Sequence, residues 1–518
     1  MLAIAESAVL VGMTSFPVRV EVQATRGIPT FDLVGLAEAA VRESRVRVKA
    51  ALAGVGVDIS EYRVTVNLAP ADMKKSGSSF DLAIALGTLV ALGAVPEEAI
   101  ADVLLLGELS LNGGMQSLRG VVAHLIGAKS RGVGRAIVPR TNEREAALVD
   151  GVEVELASTL SEIVEALRGK DPLPRPSPHT TDHVRLPVDD LADVRGQHGA
   201  RRALEIAASG AHNLLMVGPP GAGKTMLARR LAGILPELSR EEALEVLAIH
   251  GVAGLLSSSS GLAVERPFRA PHHTASEVAL VGGGEHSRPG EVSLAHHGVL
   301  FLDELSELRR AALEALRQPL EDGVVTVCRM RLTVTFPARP MLVGATNPCP
   351  CGNYGDGTNR CGCGLEAIRQ YRRRLSGPLL DRLDLHVVLP RVDLLELQSG
   401  AGGESSAVVR ARVEQARAIQ RERRRSGEVS VQTNAHLTQR DVERVCRLDA
   451  KGKAVVAQAV ERRGLSARAY GKVLRLARTI ADMDGSTAVA ARHVTEAVLG
   501  RVLDRDRTNG RPSAESAA

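Results

Sequence analysis

Hydrophobic positions recur along this chain with two periods. Val18-Arg-Val-Glu-Val22 and Tyr62-Arg-Val-Thr-Val-Asn-Leu68 alternate apolar and polar residues, which predicts half-buried strands. Residues 37–53 and 80–92 carry the helical pattern instead, so residues 1–170 read as an α+β unit. Asn213-Leu-Leu-Met-Val217, Gly298-Val-Leu-Phe-Leu302 and Met341-Leu-Val-Gly-Ala-Thr346 are unbroken apolar runs and predict short buried strands. A helix is expected to open in the run 226–232. Residues 407–425, 438–448, 451–462, 466–483 and 490–503 predict helices only, an all-α end to the chain.

Composition shows where these segments part. Asp171-Pro-Leu-Pro-Arg-Pro-Ser-Pro178 holds four prolines in eight residues and reads as an extended linker, taken as 171–187. A weaker Gly/Ser-rich break spans Gln398 to Ser406, and the tail 507–518 is expected to be disordered. The expected units are therefore 1–170, 188–398 and 399–506. The longest apolar run, Leu82 to Val95, is 14 residues, too short to span a bilayer, and no basic leader precedes it. A soluble, cytoplasmic protein without membrane contact is expected. Six cysteines in 518 residues make no disulfide framework. With no Trp and 2% aromatics, the cores must be built from Leu, Val and Ala.

The chemistry concentrates in Gly218-Pro219-Pro220-Gly221-Ala222-Gly223-Lys224-Thr225. It fits G-x-x-x-x-G-K-[ST] at every fixed position and sits between a predicted strand and a predicted helix. In that context backbone N–H groups and the helix N-terminus cradle a polyphosphate. Lys224 reaches the outer phosphates and the Thr225 hydroxyl holds Mg²⁺, so ATP and Mg²⁺ are the expected ligands. Asp303-Glu304 ends a buried strand about 80 residues further on, where a P-loop NTPase places its second Mg²⁺ contact. Glu304 would polarise the attacking water.

Other clusters carry weaker signals. Cys349, Cys351, Cys361 and Cys363 form C-x-C…C-x-C in a Gly/Asn/Pro-rich stretch, a thiol set suited to tetrahedral Zn²⁺. Cys328 and Cys446 are isolated. His272-His273 and His296-His297 are discounted as metal sites: neighbours on a strand face opposite ways, and no carboxylate spacing completes a set. Residues 324–336, with Arg329, Met330 and Arg331 at the turn, predict a β-hairpin with a basic tip. Residues 401–518 hold 23 Lys and Arg against 14 Asp and Glu, net +9 in a chain of net +5, which points to a polyanionic partner.

Several runs together resemble one family. Val34-Gly-Leu36, Val66-Asn-Leu-Ala-Pro-Ala-Asp72, Phe80-Asp-Leu82, Arg266-Pro-Phe-Arg-Ala-Pro-His-His-Thr-Ala-Ser276, Asn347-Pro-Cys-Pro-Cys-Gly352 and Ser376-Gly-Pro-Leu-Leu-Asp-Arg-Leu-Asp384 are similar to the ComM/YifB family of Mg-chelatase-like AAA+ ATPases, across about residues 1–505. The resemblance implies an α/β multidomain chain: a Lon-protease-like α+β N-terminal domain, an AAA+ P-loop core and an all-α C-terminal lid. It also implies a hexameric ring that moves branched or single-stranded DNA without regard to sequence, with helicase or branch-migration activity in recombination. Uptake of transforming DNA in competence belongs to the same expectation. It assigns Asn347 to orienting water, Arg382 to an arginine finger acting on the neighbouring subunit, and Arg468 to a lid arginine sensing γ-phosphate; Arg372, Arg373 and Arg374 compete for the finger role. The insertion at 249–296 and the hairpin are the expected DNA-coupling parts.

Two rival functions remain. In a Lon-type protease Ser79 would occupy the nucleophile position, but Val122 stands where the lysine base belongs, and a serine hydroxyl without an adjacent base is a weak nucleophile. A Mg-chelatase-like motor subunit remodelling a protein partner is the other; the Lon-like N-terminus and the four-cysteine loop argue against it.

Overall fold

The computed structural model describes residues 1–503 apart from 37, 76, 178–188, 257–264, 285–287, 330–331, 358–359, 376, 393–401 and 464. Part of the proline-rich linker, the tip of the predicted hairpin and the predicted tail thus lie outside the described residues.

The N-terminal region is a mixed seven-stranded sheet in the order Thr30–Val34, Tyr62–Ala69, Thr14–Arg26, Leu2–Val11, Val103–Leu105, Arg135–Pro139, Glu153–Ala157. The alternating run at Val18–Val22 lies within the long antiparallel pair Leu2–Val11 and Thr14–Arg26, with Val18, Val20 and Val22 wholly buried. The long apolar run begins as the helix Asp81–Ala91, buried on every face, which is why it lacks a polar stripe. Its first residue, Asp81, is a buried carboxylate compensated by a two-pronged bond from Arg47 at 2.6 and 3.1 Å and by the Leu109 amide. The start of the proline stretch stays on this domain, where the Pro174 carbonyl accepts the Leu156 N–H.

The central sheet is all parallel, in the order Phe268–Arg269, Val299–Leu302, Met341–Thr346, Leu214–Val217, Leu385–Val388. Its three middle strands are buried along their whole length, as continuous apolar runs in a covered parallel sheet must be. Asn213 stitches their starting edge: its side chain accepts the Leu342 N–H at 2.8 Å and donates to the Arg382 carbonyl at 3.2 Å. The hairpin Val324–Arg329 with Leu332–Pro337 stands outside this sheet in its own two-stranded ladder.

The C-terminal residues are helical as predicted, with Ser406–Arg425, Gln439–Val445, Ala450–Arg463, Ala467–Met483 and Ala491–Leu499. Val409, Val413, Val473, Leu476 and Ile480 share one core with Leu204, Ala207 and Leu214 of the sheet domain. The helix Arg240–Ala253 faces the other way: its Leu247 and Ala248 are buried among Leu104, Val121 and Leu125 of the N-terminal domain. No helix among the described residues is long and apolar enough to cross a membrane.

Candidate active site

Parallel strands bring their C-terminal ends to one edge of the sheet, and the predicted chemistry gathers there. The loop 218–223 joins the strand Leu214–Val217 to the helix Lys224–Ile234. Gly223 precedes that helix with φ +87°, a left-handed conformation costly to any residue with a Cβ. Lys224 turns back over the loop, its Nζ 2.6 Å from the Gly218 carbonyl, 3.0 Å from that of Pro219 and 3.1 Å from Asn347 Oδ1. Burial pushes the Lys224 ammonium down in pKa, with Asp303 and Glu304 opposing. A lysine so desolvated and held only by neutral oxygens gains charge-assisted bonds when phosphate arrives.

The Thr225 hydroxyl donates to Asp303 Oδ2 at 2.9 Å, so the two expected Mg²⁺ ligands are adjacent. Glu304 follows with φ +48°, a strained position for a glutamate. Its N–H donates to Asp303 Oδ1 at 2.8 Å, and its own carboxylate lies 2.9 Å from His273 Nδ1. Lys224, Thr225, Asp303, Glu304 and Asn347 thus form one site.

Arg382 and Arg468 lie elsewhere. Both line a cleft of about 980 Å³ with Asn213, Gly298, Met341 and Asp384, residues at the starting edge of the strands. Met341–Thr346 is six residues long, so a sheet about 20 Å deep separates this cleft from the phosphate loop. Arg382 is tied there to Glu321. Of its competitors, Arg374 binds Glu307 at 2.9 Å and Arg372 lies over the Tyr354 ring.

The four cysteines converge. Their sulfurs all lie within 4.8 Å of one another, with Cys349–Cys351 at 3.4 Å, Cys349–Cys361 at 3.8 Å and Cys351–Cys361 at 3.7 Å. A tetrahedron with Zn–S bonds of about 2.3 Å has S···S edges of about 3.8 Å, so the donor set fits Zn²⁺. The lobe touches the phosphate loop: a Cβ added to Gly352 would stand 2.6 Å from Pro220 Cδ.

Both grounds for discounting the histidine pairs as metal sites fail. Neither pair lies on a strand; His272-His273 follows Phe268–Arg269 in a turn, and His296-His297 follows the helix Glu291–Leu294. Turn backbone, with φ +56° at His297, puts both rings on one side, centroids 4.1 and 3.9 Å apart. A carboxylate does complete the second cluster: Glu245 Oε2 is 2.8 Å from Nε2 of both His296 and His297. These bonds hold Glu245 well below the usual carboxylate pKa, while burial lowers that of His296. The Arg339 amide donates to His296 Nδ1 at 3.0 Å, so in the neutral ring Nε2 carries the proton. That nitrogen then donates to Glu245 and has no lone pair for a metal.

Sequence reasoning missed two residues of the candidate site. Gln197 Nε2 donates to the Ala222 carbonyl at 3.2 Å and to that of Pro390 at 2.8 Å, clasping the phosphate loop. Its only sequence signal is Gly196-Gln197 just before a helix. His273 is the other, and it carries none that singles it out from His272.

In the N-terminal domain, Ser79 Oγ is 3.5 Å from the Ala8 carbonyl, and the buried Lys75 ammonium is turned to the Pro70 carbonyl. The Ser-Lys relay of a protease is not assembled there.

Comparison with known proteins places these features. Residues 20–142 match the family described as subunit ChlI of Mg-chelatase, residues 190–397 match magnesium chelatase, subunit ChlI, and residues 403–501 match the C-terminal part of that subunit. The chain is 42% identical over 507 residues to YifB of Escherichia coli, described as uncharacterized, covering 97% of this chain and 98% of that one. It is 42% identical over 515 residues to the competence protein ComM of Haemophilus influenzae, covering 97% and 98%. A shorter stretch of 181 residues is 28% identical to a probable DNA helicase, MCM9, of Arabidopsis thaliana, covering 35% of this chain and 23% of that one.

Proposed function

The chain belongs to the ComM/YifB family of Mg-chelatase-like AAA+ ATPases, and from that premise we propose that it is an ATP-driven ring motor, of hexameric type, that migrates branched DNA during recombination or the uptake of transforming DNA. One observation carries the ring: Arg382 and Arg468 share a cleft on the opposite edge of the sheet from Lys224. In a ring the starting edge of one copy faces the phosphate loop of the next. Both arginines then serve the neighbour's nucleotide, stabilising charge on the γ-phosphate as it leaves.

Within each copy the roles follow from the distances. Lys224 binds the outer phosphates. Thr225 and Asp303 would hold Mg²⁺, which neutralises phosphate charge. Glu304 takes the proton of the attacking water, which the Asn347 amide orients. Zn²⁺ at Cys349, Cys351, Cys361 and Cys363 would complete the metal content. The N-terminal domain reads as a Lon-like fold without its base, used for binding.

A Mg-chelatase-like motor is the second reading. The match at residues 20–142 bears that name too, so the N-terminal domain does not separate the two. The four-cysteine loop and the near-full-length identity to a competence protein favour DNA. The test is branch migration of a synthetic four-way junction. Protein with ATP should resolve it, with binding that weakens steeply as salt rises. A chain that hydrolyses ATP yet neither binds nor remodels any DNA at low salt would overturn the reading.

A further inference from the structure

The hairpin Val324–Arg329 with Leu332–Pro337 stands outside the central sheet, yet one of its faces is closed. Val325 pairs with Phe336 and Val327 with Val334, and cross-strand partners share a face. On that face Val325, Val334 and Phe336 are buried and Val327 is half-buried. On the other face Cys328, Thr333 and Thr335 are exposed. Gly283 covers Val327, where an added Cβ would be 3.7 Å from Val327 Cγ1. Val334 and Phe336 are covered from a different domain.

Their cover is the two-residue turn Gly12-Met13, which joins Leu2–Val11 to Thr14–Arg26. Gly12 has φ +62°, the left-handed conformation that a tight hairpin turn needs and that favours glycine. Space demands glycine as well: an added Cβ would overlap Val334 Cγ1 and stand 3.6 Å from Phe336 Cε1. Met13 anchors the turn by packing on the core that Leu247 and Ala248 share with the N-terminal domain. The contact therefore has one open direction. A hairpin tilting towards the turn meets backbone, and one tilting away separates from it.

The hairpin is also tied to the phosphate loop. Only Ala338, Arg339 and Pro340 separate it from the strand Met341–Thr346, after which Asn347 lies 3.1 Å from Lys224. A shift of Asn347 on ATP binding or release reaches the hairpin through one short strand.

We propose that Gly12-Met13 is a seat on which the hairpin is parked between strokes: the seated hairpin does not engage DNA, and the ATP cycle lifts it off. This rests on the reading of the chain as a DNA motor whose hairpin handles the strand.

The test locks and unlocks the seat in the full chain. Gly12→Cys with Val334→Cys sets two Cβ atoms 3.5 Å apart, within disulfide range. A Cys328→Ser background removes the exposed hairpin thiol. Mild oxidation should close the cross-link. Junctions resolved per ATP hydrolysed should then fall by at least about tenfold, because the released state is no longer reached, and a reductant should restore them. Wild type carried through the same oxidation is the control for the clustered cysteines. Opening the seat acts the other way. Gly12→Ala should bind forked DNA about two to ten times more tightly, because a competing state is removed. Alanine at φ +62° strains the turn, so Val334→Ala, which leaves the turn intact, should shift binding in the same direction. A pair that does not cross-link, a cross-linked protein that moves junctions as well as its reduced form, or a Val334→Ala protein that binds DNA no more tightly than wild type would overturn the seat and leave the motor reading standing. Wild type that neither binds nor moves DNA would instead remove the reading beneath it.

Discussion

Asp384 anchors the C-terminal helices through one buried charge pair. Its Oδ1 is 2.6 Å from Lys472 Nζ, and its other oxygen accepts the Asn213 N–H at 3.0 Å. Burial alone would raise its pKa, but the Lys472 charge beside it outweighs that and holds the carboxyl well below its usual range. Burial pushes Lys472 down as well, so the attraction shows at the carboxylate, which the Asn213 N–H also supports. Lys472→Met should cost about 3 kcal/mol, as removal of one partner of a buried pair does. The pH dependence has a definite sign. A folded pKa below the unfolded one stabilises fully above the unfolded value and less as pH falls. The wild-type advantage over Lys472→Met should therefore fade below about pH 4. Urea midpoints for both proteins across pH 3.5 to 7 would check it, and a constant gap would contradict the assignment. At this scale the contiguous motif residues were legible in the chain, because Gly218 to Thr225 and Asp303-Glu304 each fall within one turn. His273, Gln197 and Glu245 were not, since their partners come from distant parts of the chain. The rule that adjacent residues face apart holds for strands only, and both histidine pairs sit in turns.

The four-cysteine lobe is the element whose chemistry is most open to direct measurement. Protein purified without chelators should carry about one zinc per chain, and Cys361→Ser with Cys363→Ser should lose it. Elemental analysis finding none in the wild type would end the idea. The double variant should also bind nucleotide less tightly, because Gly352 packs on Pro220 and Cys349 stands two residues from Asn347. Elements themselves were largely readable. The alternation at Val18–Val22 and the unbroken runs at Leu214–Val217 and Val299–Leu302 gave strands where burial demands them. What periodicity could not convey is strand direction and order. Those decide that Asn347 lies with Lys224 while Arg382, in the turn ahead of the strand Leu385–Val388, lies at the opposite edge.

At the scale of the whole molecule, the +9 of the last segment means less than its composition implies. Arg410 binds the Gly233 carbonyl, Arg417 that of Ala208 and Arg475 that of Leu437; Arg423 and Arg478 hold Asp482, and Arg501 binds the carbonyls of Leu383 and Asp384. Those charges are internal ties, invisible to a residue count. Assembly supplies the decisive prediction. Arg382→Ala and Lys224→Ala should each be inactive alone, yet mixtures shown to co-assemble should regain part of the ATPase, because a mixed interface unites an intact loop with an intact finger. No recovery would exclude action across subunits. The helix Arg240–Ala253 adds a mechanical consequence. It gives Leu247 and Ala248 to the N-terminal core while its Glu245 grips the imidazoles just ahead of the strand Val299–Leu302. A lever of this kind has two arms. Load applied to the first 170 residues is felt at Val299–Leu302 whether or not the proline stretch bends, so the boundary written in prolines separates the backbone and not the force.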